Sequence, residues 1–97
     1  MLFTVNDSSL TSDSLDSLLR IAPSGAPILL YEDGVFSAME GTRDSQKVID
    51  ALKDHPIYAL DADLEARGLK RLIKGIKIIS YDGFVELVEK NDMVPWL

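Results

Sequence analysis

The feature of this chain that most constrains its fold is an alternation between two hydrophobic periods. Short apolar runs at residues 1–5, 26–31, 57–60 and 76–79 predict four strands. The segments between them place apolar residues at every third or fourth position, which predicts amphipathic helices. Repeated strand–helix pairs are typical of a parallel sheet with helices on both faces, so we predict an α/β sandwich of three layers.

The helix signals are local and specific. The first helix has Leu15, Leu18, Leu19 and Ala22 on one face, with Asp13 as its expected N-cap. The next begins near Val35, is interrupted at residues 41–42 and resumes at residues 47–53. Residues 55–56 end it, because the residue before proline avoids helical backbone angles.

Two further helices follow the later strands. Asp61 and Asp63 begin one of them, and Gly68 is placed to end it in a left-handed conformation. Ser80 caps the last helix, whose expected apolar face consists of Tyr81, Phe84, Val85 and Val88. Since no linker or repeat divides the 97 residues, we expect a single domain over residues 1–97.

No apolar run approaches the roughly 20 residues of a membrane helix, and the N-terminal residues lack the pattern of a secretory signal. A cytoplasmic location without membrane contact is therefore expected. The sequence contains no cysteine, which excludes disulfides, thiolate zinc sites and sulfur chemistry on this chain's own thiols. No metal or cofactor is expected.

Acidic residues follow the predicted strands. Because ligands of open α/β sheets gather at the carboxyl ends of strands, these acids could hold Mg²⁺ or accept a phosphoryl group. Helix-dipole and capping roles account for them without a ligand, and we favour those roles. A phosphoryl-accepting receiver would also need a fifth strand ending in lysine, for which the chain has no room. The acids are Asp7, Glu32, Asp33, Asp61, Asp63 and Asp82.

The single histidine, His55, precedes a proline, and we expect it in a solvent-facing turn rather than in a catalytic site. The chain has no Ser-His-Asp pattern and no glycine-rich phosphate loop, so an enzyme that works alone is not predicted.

The charge is uneven. The net charge is −6, yet residues 66–81 contain five basic residues and no acid before the last helix. A solvated loop is the simplest interpretation of this basic segment. Contact with a partner protein is the next, and direct RNA contact is not favoured, because the segment lacks interleaved aromatics. The segment 93–97 ends in Trp96 and Leu97, an anchor for its own core or for a neighbouring subunit.

Five blocks of this sequence resemble the DsrH/TusB family and occur in the family's order along the chain. The most specific is Asp63-Leu-x-Ala-Arg-Gly-Leu69; Phe3 departs from the family, whose members often have histidine at that position. The blocks are residues 1–6, 28–35, 58–69, 78–85 and 96–97.

The resemblance implies a DsrE-like fold, with a mostly parallel sheet of about four to five strands. It also implies a subunit of a sulfur-relay complex that passes persulfide sulfur, either toward 2-thiolation of tRNA wobble uridine or in dissimilatory sulfur oxidation. The implied partners are homologous subunits of the DsrE/TusD and DsrF/TusC types, in a dimer of heterotrimers. The catalytic thiol belongs to the DsrE/TusD-type subunit, and residues 14–20 lack the cysteine of some DsrH proteins.

We therefore predict a non-catalytic subunit whose partner interface includes Asp33, Gly34, Arg67, Trp96 and Leu97. Asp33 and Gly34 are expected beside the partner's cysteine, while Arg67 and the basic segment are candidates for receiving an acidic or tRNA-bound acceptor. A homo-oligomer that binds a small ligand at the acidic strand ends is the alternative from another functional class.

Overall fold

The computed structural model describes residues 1–7, 14–43 and 45–95. Its strands are β1 (Leu2–Val5), β2 (Ile28–Leu30), β3 (Ile57–Leu60), β4 (Lys77–Ile79) and β5 (Met93–Pro95). Its α-helices are α1 (Ser14–Ile21), α2 (Ser45–Ala51), α3 (Asp61–Ala66) and α4 (Tyr81–Lys90), and a 3₁₀ helix covers Glu32–Ala38.

The five strands form one parallel sheet in the order β4-β3-β2-β1-β5. Phe3 pairs with Ile28 of β2 on one side and with Val94 of β5 on the other. The predicted α/β fold with a parallel sheet is confirmed. The five strands fall within the four to five that the family resemblance implies. Three residues, 93–95, are enough for β5 to pair with β1, and this strand ends in proline rather than in the lysine that a receiver would need.

This strand order distributes the helices unequally between the two faces. Each step from β1 to β4 moves in the same direction, so right-handed connections place α1, α2, α3 and the 3₁₀ helix on one face. The return from β4 to β5 runs the other way and brings α4 to the opposite face. There Gly83 approaches the side chain of Ile79.

The main core lies between the sheet and the larger helical layer. It contains alternate residues of the central strands, such as Phe3, Ile28 and Ile57, together with Leu18 of α1 and Val48 of α2. All three residues of β2 are buried, which explains its continuous apolar sequence. Leu2 and Leu29 point to the α4 face and are also fully buried.

Three local predictions have clear outcomes. Gly68 has a φ of +65° just after α3, and the Ser80 hydroxyl accepts a hydrogen bond from the backbone N–H of Gly83, so the predicted end of α3 and cap of α4 are confirmed. The helix expected from Val35 is a 3₁₀ helix that already begins at Glu32. Asp13, the expected cap of α1, lies outside the described residues.

The expectation that His55 faces solvent was wrong. Its side chain is buried, and its Nδ1 atom lies 2.9 Å from the backbone oxygen of Ala26. The turn before Pro56 folds inward because the Gly25 N–H also bonds to Asp54 O, joining this turn to the start of β2. His55 thus has a structural role, satisfying a buried carbonyl. No helix among the described residues is long and apolar enough to cross a membrane.

Candidate functional site at the carboxyl edge of the sheet

The carboxyl ends of β2 and β3 bring together residues that are about thirty positions apart in the sequence. The 3₁₀ helix follows β2 after Tyr31, and α3 follows β3 without an intervening loop. Since the two strands are neighbours, the first turns of these helices are neighbours as well. We call the resulting group of Glu32, Asp33, Asp63 and Arg67 the edge cluster.

Arg67 links the two helices of the edge cluster. Its Nε atom donates to Asp33 Oδ1 at 3.0 Å, and its Nη2 atom lies 3.0 Å from the same oxygen. On the other side, Nη1 lies 3.5 Å from Asp63 Oδ1, one helical turn earlier in α3. The predicted interface residues Asp33 and Arg67 therefore contact each other directly.

Asp63 supplies the other half of this link. Its Oδ2 atom accepts a hydrogen bond of 2.7 Å from the backbone N–H of Glu32, the first residue of the 3₁₀ helix. Tyr31, which precedes that helix, makes no side-chain capping bond, so Asp63 provides the cap from a different element. Glu32 has a φ of +49°, which is costly for a residue with a side chain and which this bond helps to hold.

Gly34 lies on the buried side of the edge cluster, next to the end of β1. A Cβ atom at this position would lie 2.1 Å from the backbone oxygen of Val5, at the end of β1. The same oxygen accepts a hydrogen bond from the N–H of Tyr31 at 3.0 Å. Gly34 is therefore required by a close backbone approach, and it is buried in this chain.

The charges of the edge cluster are used mainly to hold the 3₁₀ helix and α3 together. Arg67 is mostly buried and already faces two carboxylates, so its charge is largely compensated. Asp33 keeps most of its side chain in solvent. No group of three or more metal-ligating side chains occurs within residues 1–7, 14–43 and 45–95. The cluster thus links the starts of the two helices by ion pairs and hydrogen bonds.

The acidic residues that follow the strands do not all gather in one place; they lie at the starts of different helices. Asp61 lies in the first turn of α3 and Asp82 in the first turn of α4, where a negative charge favours the helix dipole. Asp63 also accepts a hydrogen bond at the start of a different helix, from the backbone N–H of Glu32. The role of Asp63 was missed from sequence, although its spacing of four residues from Arg67 could have indicated the ion pair. Trp96 and Leu97 lie outside the described residues.

The chain matches known proteins over nearly its whole length. Residues 7–94 match the model of the family described as DsrH like protein. Protein TusB of Sodalis glossinidius is 42% identical over 94 residues, and Protein TusB of Serratia proteamaculans is 39% identical over 92 residues. Each of these alignments covers 94% of both chains.

The chain belongs to the DsrH/TusB family. The predicted family is confirmed by these matches. The crystal structure of the ychN protein from E. coli has a TM-score of 0.82 at 20% identity, covering 97% of this chain and 95% of that one. A Thermotoga maritima protein has a TM-score of 0.62 at 25% identity, covering 95% of both chains. These structures support the fold.

Proposed function

We propose that this DsrH/TusB protein is a non-catalytic subunit of a sulfur-relay complex that acts in 2-thiolation of tRNA wobble uridine. The observation that carries the proposal is a near full-length match to TusB proteins in a chain without cysteine. A subunit that cannot carry persulfide on its own sulfur must act through its partners. The curated relatives are named TusB, which favours thiolation over the sulfur-oxidation alternative.

The partners in this proposal are homologous subunits of the DsrE/TusD and DsrF/TusC types, in a cytoplasmic dimer of heterotrimers. The single domain of residues 1–97 contributes surfaces to this assembly. Direct contact with tRNA is not part of the proposed role, and neither is a metal or cofactor.

The edge cluster favours a particular contribution to a partner's cysteine site. A positive charge near a thiolate lowers its pKa, but Arg67 is already paired with Asp33 and Asp63. The edge cluster therefore supplies shape and a fixed loop rather than a free cation. Asp33, which is 64% exposed, is the member that can contact a partner, and Gly34 holds the loop from below.

Co-expression with candidate DsrE- and DsrF-type subunits tests the proposal. Light scattering should give a complex of about six chains, as expected for a dimer of heterotrimers. Labelled sulfur should reside on the DsrE-type partner and never on this chain. The proposal would be refuted if this chain co-eluted with neither partner. It would also be refuted if the partners transferred sulfur equally well when this subunit was omitted.

A further inference from the structure

An apolar groove with a volume of about 340 Å³ lies beside the edge strand β4. Ile78 reaches into it and is 58% exposed, although it occupies the middle of a strand. We call this feature the β4 groove. Its apolar lining is Leu64, Leu69, Leu72 and Ile78, and the rest of its lining is Asp61, Glu65, Gly68 and Lys70.

The wall of the β4 groove at the end of α3 is held by backbone hydrogen bonds. The N–H of Gly68 donates to the oxygen of Glu65 at 3.1 Å, and the N–H of Leu69 donates to the oxygen of Leu64 at 3.0 Å. Together with the positive φ of Gly68, these bonds form a Schellman motif, which typically brings two apolar side chains together. Here those side chains are Leu64 and Leu69, so one apolar wall is fixed by the end of the helix.

The segment that leads from α3 to β4 is held in a similar way. Leu72 forms an antiparallel bridge with Met39, and the N–H of Ile73 donates to the backbone oxygen of Ala38 at 2.8 Å. Because backbone bonds fix both sides, the β4 groove is already formed before anything binds. A ligand then loses little free energy to ordering of the protein.

Strand β4 offers a backbone edge along the groove. It pairs with β3 on one side and with no other strand among the described residues. Ile78 is in register with the core residue Ala59, so its side chain lies on the same face of the sheet as α3. A strand added beside β4 places every second side chain on that face, next to Ile78. An extended chain therefore suits this surface better than a helix, which leaves the edge of β4 unpaired.

The charges of the β4 groove select the sign of the ligand. Asp61 and Glu65 lie one helical turn apart on α3, and both are exposed. Neither side chain forms a hydrogen bond or an ion pair within the described parts of the chain. Lys70 is the single base in the lining, so the acids outnumber the bases. A ligand that carries lysine or arginine fits this surface, and an acidic ligand is repelled.

We propose that the β4 groove binds an extended segment of a partner protein, with apolar residues at alternate positions and lysine or arginine beside them. The segment pairs with β4 as a sixth strand. Its apolar side chains contact Ile78 and the leucine wall, and its basic residues face Asp61 and Glu65. This proposal does not rest on the sulfur-relay role, so it can be tested on the isolated full chain.

The probe is an end-blocked synthetic nonapeptide. Its even positions carry lysine, valine, valine and lysine, and its odd positions carry threonine, so one face of the extended chain is apolar with basic ends. A matched acidic probe has glutamate in place of both lysines. In isothermal titration calorimetry with the full chain, the basic probe should bind about fivefold more tightly than the acidic probe, or more.

Charge changes within the groove should alter this preference in a fixed direction. Lys70→Glu removes the base and should tighten binding of the basic probe about two- to fivefold, whereas Glu65→Lys should weaken it by a similar factor. The acidic probe should show the opposite order. The matched control is Glu86→Lys, since Glu86 is an exposed acid on α4, and it should leave both affinities nearly unchanged at physiological salt.

The apolar contact is tested by a neutral substitution in β4. Ile78→Thr keeps a residue branched at Cβ but removes apolar surface, so it should weaken binding of the basic probe about fivefold. Ile21→Thr is the control, because Ile21 is 57% exposed and lies on α1. Hydrogen exchange of amides in β4 should slow when the basic probe is bound, because the added strand supplies acceptors. Circular dichroism and melting curves check that each variant is folded.

Three results would overturn the proposal. The first is a chain that binds neither probe. The second is binding that prefers the acidic probe, or that the Lys70, Glu65 and Ile78 variants leave unchanged, which would place the contact elsewhere. The third is self-association in sedimentation equilibrium that Ile78→Thr abolishes and that neither probe displaces, which would assign the β4 groove to a second copy of the chain.

Discussion

Asp63 is the residue on which the geometry of the carboxyl edge most depends. Its carboxylate accepts the Glu32 N–H and faces Arg67. Asp63→Ala should lower the free energy of unfolding by about 1–2 kcal/mol, the range for loss of a helix cap. Urea denaturation measures this change, and amide hydrogen exchange at Glu32 should accelerate because its acceptor is lost.

The matched control for Asp63→Ala is Glu65→Ala in the same helix. Glu65 is exposed and makes no side-chain bond within the described residues, so its replacement should change stability by less than about 0.5 kcal/mol. Equal effects of the two substitutions, with unchanged exchange at Glu32, would refute the capping role of Asp63.

A second prediction at the residue scale concerns Gly34. Gly34→Ala should destabilise the protein by about 2–3 kcal/mol or more, because the new Cβ atom would collide with the backbone of Val5. Gly41→Ala is the comparison: Gly41 has a φ of +78° but open space around it, so only the conformational cost of about 1 kcal/mol applies. A Gly34 variant as stable as the Gly41 variant would contradict the close approach.

At the scale of elements, strand β5 is held by alternate side chains. Val94 is paired with Phe3 and packs against the main core, whereas Met93 faces the other side and is 46% exposed. Val94→Asp should therefore cost more than about 2 kcal/mol of unfolding free energy, and Met93→Asp less than about 1 kcal/mol. Thermal or urea unfolding of the two variants checks the register, and a reversed order of effects would show that the register is wrong.

The elements differ in how far the sequence could predict them. Strands β1, β2 and β3 and the helices with a clear apolar face follow from hydrophobic period alone. Strand β5 was missed because three residues ending in proline carry no recognisable period, and it forms only by pairing with distant β1. The inward turn at His55 likewise depends on tertiary contacts with Ala26.

The candidate site could be predicted only in part, because one of its contacts joins residues that are far apart in the sequence. Asp33, Gly34 and Arg67 were identified through the family resemblance, and the structure joins Asp33 to Arg67. The bond from Glu32 to Asp63 spans 31 positions, and it exists only because β2 and β3 are neighbours in the sheet. Local sequence carries no signal for a contact of that kind.

At the scale of the whole molecule, the proposed interface role of Trp96 can be tested by measuring assembly with the partner subunits. Aromatic anchors dominate many interfaces, so Trp96→Ala should weaken binding to the DsrE- and DsrF-type partners by about 2 kcal/mol or more, while Trp96→Phe should retain most of the affinity. Size-exclusion chromatography and melting of the co-expressed complex measure the effect. An alanine variant whose complex elutes and melts like the wild type would remove Trp96 from the interface.

The position of β5 next to β1 has a consequence for how this protein is made. Residues 93–95 complete the outer side of β1, about ninety positions after β1 leaves the ribosome. Until then, the apolar strand Leu2–Val5 has an open edge in the growing chain, a state that invites aggregation. Closing so long a loop is entropically costly and slow. The pairing of β5 with β1 should therefore determine how quickly a newly made chain is protected from aggregation.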